Sequence, residues 1–69
     1  MRYVLLYTDE DGYWIAEVPS LPGCFSQGDT RAEALTNIKE AIDLYIEVLE
    51  SEGKPVPEDY IHDAELVGV

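Results

Sequence analysis

Few side chains in this sequence have the type and spacing that chemistry requires. Asp9, Glu10 and Asp11 stand together before Gly12. Converging carboxylates can hold Mg²⁺, and a metal-dependent nuclease needs such a pair. Adjacent carboxylates at a turn tip instead point outward, and no Glu follows at the spacing of an EF-hand loop. The one histidine, His62, needs an orienting partner to act as a base, and Asp63 beside it points the other way on an extended segment. Cys24 has no cationic sequence neighbour to make it a thiolate, so it reads as a buried packing residue. Ser20 and Ser26 lack the strand–serine–helix elbow of acyl-transfer enzymes. Gly28-Asp29-Thr30 places amides at a helix start, but Asp29 opposes an anion there. The expectation is a protein without catalytic residues, metal or cofactor.

The informative polar pattern is acidic. Glu40, Asp43, Glu47 and Glu50 recur at helical spacing, about 140° from the centre of the apolar stripe. Asp43 and Glu47 repel each other one turn apart, offset only in part by Lys39. Glu50 and Glu52 sit at the negative end of the helix dipole. A face shaped for stability alone would carry lysines there. This stripe and the tip acids Asp9, Glu10 and Asp11 are the candidate partner-binding residues; the alternative is a merely solvated surface.

The elements that must position these groups follow from periodicity. Tyr3–Tyr7 is a short apolar run suited to a strand covered on both faces. Asp11-Gly12 turns the chain into a second strand over 13–18. Trp14, Ala16 and Val18 share one face of it; Tyr13, Ile15 and Glu17 share the other. Pro19 and Pro22 take the chain out of the ladder, with Pro22-Gly23 at a turn centre. A third strand covers 24–27. Thr30 and Glu33 form a capping box, and Leu35, Ile38, Ile42, Tyr45, Ile46 and Leu49 make an apolar stripe. A helix over about 31–52 follows, ended by Gly53 and Pro55. A last short strand is expected over 64–69. The fold class is α+β, a single domain over 1–69: a two-layer β-β-β-α-β sandwich with one helix on a small mixed sheet.

Composition bounds the function. The chain has 69 residues and a net charge of −11, from 15 acids against 4 Lys and Arg. The charge is spread along its length. No cationic patch exists to neutralise phosphates, so direct nucleic-acid binding is not expected, nor attraction to an anionic membrane. The acidity suits solubility or a basic partner. A domain this small buries only about 60% of its unfolded surface, which favours oligomerisation. One cysteine and no signal peptide or spanning segment fit a reduced cytoplasmic setting.

The run Val18-Pro19-Ser20-Leu21-Pro22-Gly23-Cys24-Phe25-Ser26-Gln27-Gly28-Asp29-Thr30-Arg31-Ala32-Glu33-Ala34 resembles the HicB-like antitoxin family. So do Asp11-Gly12-Tyr13-Trp14 before it and Asn37-Ile38-Lys39-Glu40-Ala41-Ile42 after it. The likeness covers roughly residues 3 to 57. Its signature positions here are Pro22, Gly23, Gly28, Asp29, Thr30 and Glu33. The resemblance implies a degenerate ribonuclease-H-like core, no catalysis, and homodimers or higher oligomers such as tetramers. It also implies a partner, a HicA-type toxin: a small basic ribonuclease that cuts mRNA and is blocked by the acidic antitoxin. Family members usually continue into a DNA-binding domain. No helix-turn-helix or ribbon-helix-helix pattern follows residue 57, so DNA binding is not carried over.

Three functions compete at this point. The first is an antitoxin-like protein-binding module. The second is a stand-alone homo-oligomeric structural or regulatory protein with no toxin partner. The third is a metal-dependent nuclease, motivated by the implied fold and the acids at 9–11; fold likeness alone supplies no site for it.

Overall fold

In the computed structural model, residues 2–58 are described. The first turn sets the sheet. Strand β1 (Leu5–Thr8) pairs antiparallel with β2 (Trp14–Glu17), placing Leu5 opposite Glu17 and Tyr7 opposite Ile15. The hairpin closes at Asp9–Gly12, where the Gly12 amide donates to the Asp9 carbonyl and Gly12 takes a φ of 86°. A β-carbon resists that conformation, which is why glycine stands there.

Strand β3 (Phe25–Gly28) adds antiparallel to the far side of β2, giving the order β1-β2-β3. Between β2 and β3 the chain makes two β-turns. The Leu21 amide donates to the Val18 carbonyl, and the Cys24 amide to the Leu21 carbonyl. Gly23 sits at φ 82° after Pro22, the combination that a type II turn requires. The excursion turns Leu21 inward, where it is fully buried.

Helix α1 spans Arg31–Ser51. Thr30 caps it: its backbone is extended and its hydroxyl accepts from the Glu33 amide at 3.1 Å. At the other end Gly53 is left-handed, its amide donates to the Glu50 carbonyl, and the Lys54 amide donates to the Leu49 carbonyl. These are the paired bonds of a Schellman cap, which satisfy carbonyls that the helix leaves open.

The helix lies on one face of the sheet, mainly over β3 and β2. Ala16, Val18, Leu21, Cys24, Ala34 and Ile38 form the core between the layers. Val4, Leu6, Trp14, Ala41, Ile42 and Tyr45 pack around it, half-buried. An open groove of about 330 Å³ runs between the segment before β1 and the helix, lined by Arg2, Val4, Leu35, Ile38, Lys39 and Ile42.

The α+β class and the single helix over a sheet agree with the sequence reading. The three described strands are all antiparallel; the expected strand over 64–69, which would make the sheet mixed, lies outside the described residues. One expectation is overturned. The Tyr3–Tyr7 run is covered on one face only, since Tyr3, Leu5 and Tyr7 are 73%, 54% and 43% exposed. One helix can cover one face of a sheet, so the alternate residues Val4 and Leu6 go inward and the others stay out.

Candidate functional site

The side of α1 turned from the sheet carries the acids. Ala34 and Ile38 are buried against β2 and β3, which fixes the rotation of the helix about its axis. Two side chains lock it further. The Asn37 amide donates to the Gln27 carbonyl at 2.8 Å, and the Tyr45 hydroxyl to the Pro22 carbonyl at 2.9 Å. With that rotation set, Glu40, Asp43, Glu47 and Glu50 are all exposed. None of the four joins an ion pair among the described residues, where Lys54 pairs with Glu52 at 2.8 Å. The last turn of the helix holds no basic residue to offset them. The result is a ridge of unneutralised negative charge on a rigid element.

The hairpin acids differ from one another. The Asp9 carboxylate accepts from the backbone amides of Asp11 and Tyr13, at 3.0 and 2.9 Å. It therefore closes the turn. Glu10 and Asp11 are exposed at the tip. Among the described residues no group of three or more acids, histidines or cysteines gathers to hold a metal.

All the signature residues but Asp29 have a visible local task. Pro22 and Gly23 form the turn that buries Leu21, and Thr30 caps the helix through the Glu33 amide. Gly28 is where β3 meets the helix: a β-carbon there would lie 2.6 Å from the Ala34 nitrogen and 2.9 Å from the Glu33 carbonyl carbon. Asp29 is exposed just before the cap. These residues build the frame that orients the ridge.

Cys24 is buried in the core, and that burial pushes its thiol pKa up, away from nucleophile chemistry. Ser20 accepts a hydrogen bond from Arg2 at 3.1 Å. His62 and Asp63 lie outside the described residues.

Sequence reasoning missed the outer face of the sheet. Leu5, Glu17 and Phe25 stand in one cross-strand row, and Tyr7, Ile15 and Gln27 in the next. Tyr13 and Phe25 are 44% and 67% exposed, beside the open Tyr3, Leu5 and Tyr7. A hollow of about 340 Å³ opens between Leu5, Phe25, Pro19 and Pro22. The Tyr7 hydroxyl donates to the Glu17 carboxylate at 3.1 Å. That bond raises the Tyr7 phenol above its ordinary pKa, with smaller contributions from burial and from the Glu17 charge. The signal was present in the sequence: β1 and β2 carry apolar residues at both parities, while a single helix serves one.

Comparison with known proteins places these features in a group. Residues 3–65 match a family described as the HicB_like antitoxin of bacterial toxin-antitoxin systems. A UPF0150 protein of Thermoplasma acidophilum is 55% identical over 60 residues, covering 86% of this chain and 87% of its own length. One of Archaeoglobus fulgidus is 39% identical over 66 residues, covering 96% and 83%. One of Synechocystis is 55% identical over 56 residues, covering 81% and 71%. No solved structure matches the chain.

Proposed function

The chain belongs to the HicB-like antitoxin family, and on that premise we propose that it neutralises a HicA-type, mRNA-cleaving toxin by covering the toxin's basic RNA-binding surface. The observation that carries this reading is the exposed row Glu40, Asp43, Glu47 and Glu50, free of ion pairs, on a helix whose rotation is locked. An RNA-cutting enzyme must present cations to phosphates, and the same cations attract a matching carboxylate row. Glu10 and Asp11 at the hairpin tip add to the negative field, while Asp9 is occupied in the turn. No bond is made or broken by this chain in the process. It acts in the cytoplasm as a homo-oligomer.

The test is capture of a HicA-type ribonuclease by the full chain, with protection of an RNA substrate as readout. Neutralising the row (Glu40→Gln, Asp43→Asn, Glu47→Gln and Glu50→Gln together) should weaken capture by on the order of 10-fold or more. Its fold, followed by circular dichroism, should stay intact, since all four side chains are exposed. Unchanged capture by the neutralised chain would exclude the ridge as the docking face. Failure to bind any HicA-type protein at micromolar concentration would leave the stand-alone oligomer, which the open sheet face independently favours.

A further inference from the structure

We infer that the outer face of the sheet is the surface through which two copies of this chain associate, leaving the acidic helix ridge of each copy turned outward. The inference rests on the oligomeric part of the function proposed above and adds the surface.

The first argument is area. Tyr3, Leu5, Tyr7, Tyr13 and Phe25 are between 43% and 73% exposed and share one face. Large side chains of this kind cover about 150–250 Å² each, so their open parts amount to roughly 500 Å² of mostly apolar surface. That is near the upper limit for a soluble monomer, about 300–600 Å². It is also more than half of the roughly 800 Å² that each partner contributes to a standard interface. Ile15, Gln27 and the rim at Pro19 and Pro22 adjoin it on the same side.

The second argument is charge, and it selects the occupant. Two copies at −11 each repel, so they can approach only where charge is sparse. Among the described residues, Glu17 is the one acid in these two rows, and the Tyr7 hydroxyl already bonds it; Asp9, opposite Tyr13 at the hairpin end, is held by two backbone amides. A basic partner gains little from a face whose two carboxylates are already hydrogen-bonded and much from the helix ridge. A second copy gains most where its own charge is least. Sheets meet face to face about 10 Å apart, and a two-fold axis through the centre would bury both hydrophobic rows at once.

Sedimentation of the full chain at about 100 μM tests this. The expected mass is at least twice the 7.7 kDa of one chain. Phe25→Asp and Leu5→Asp, both at exposed positions, should each halve it while keeping the circular-dichroism spectrum. Leu44→Asp, at a helix position 62% exposed, should leave it unchanged. Without any variant, nitration of Tyr13 should slow as protein concentration rises. A wild-type mass of one chain would overturn both the surface and the oligomeric reading, pointing to residues 59–69 or the toxin as the cover. An oligomer that both aspartate variants leave intact would overturn the surface alone. Aspartate variants that stay oligomeric but lose toxin capture would give the face to the toxin instead.

Discussion

Gly12 and Gly28 show two separate reasons for a glycine, and substitution should tell them apart. Gly12 has open space around it but a φ of 86°. Gly12→Ala should cost about 1 kcal/mol, the penalty of a left-handed β-carbon. Gly28 has no such φ, but a β-carbon would strike helix backbone at 2.6 Å. Gly28→Ala should force β3 and α1 apart and cost about 1–3 kcal/mol, read as a lower urea midpoint. At the hairpin tip, Asp9→Ala should lose about 1 kcal/mol, since two amides lose their acceptor, whereas Glu10→Ala and Asp11→Ala should leave stability within about 0.5 kcal/mol. Tyr7 offers a spectroscopic check. Its phenol is held protonated above the ordinary pKa of 10.0 by Glu17. The bond contributes stability fully at pH values below that ordinary value, and the contribution disappears as pH rises through the higher folded value. Ultraviolet titration should show the Tyr7 phenol ionising late, and Glu17→Ala should bring its ionisation to lower pH.

The helix was the most legible element, and the reason is physical. Its stripe and caps are local, so the expected end at 52 and the observed one at Ser51 nearly coincide. The strands, expected over 3–7, 13–18 and 24–27, run Leu5–Thr8, Trp14–Glu17 and Phe25–Gly28. Their ends depend on where a partner's ladder stops, which no single strand states. In the sequence Leu21 is only part of a proline-rich exit from the sheet, because its burial depends on turns that fold it back into the core. The acid ridge was legible because helical spacing alone puts its members on one side; that none of them joins an ion pair among the described residues needed the structure. The helix also separates stability from binding. Glu50→Lys places a cation at the C-terminal end of the dipole and should raise stability by about 0.3–1 kcal/mol. The same change should weaken toxin capture. A solvated face without a partner would show the first effect and not the second.

At the scale of the molecule, the charge distribution predicts how association responds to salt. Capture of a basic toxin should be steered by a net charge of −11, so its on-rate should fall on the order of 10-fold or more as ionic strength rises. Self-association through the sheet should move the opposite way, because salt screens repulsion between like copies. Stopped-flow mixing and sedimentation at two salt concentrations would measure both. No helix among the described residues is long and apolar enough to cross a membrane. The buried Cys24 turns this domain into its own clock. Cys24 is 6% exposed, so a thiol reagent reaches the sulfur chiefly in opened molecules, and labelling proceeds at the free-thiol rate scaled down by the open fraction. For a domain holding together by about 4 kcal/mol, labelling should run roughly a thousandfold slower than on a free thiol. A bound partner should slow it further, in proportion to how tightly it binds the closed form. One unmodified side chain thereby reports occupancy in a crude mixture, with no tag and no change to either face.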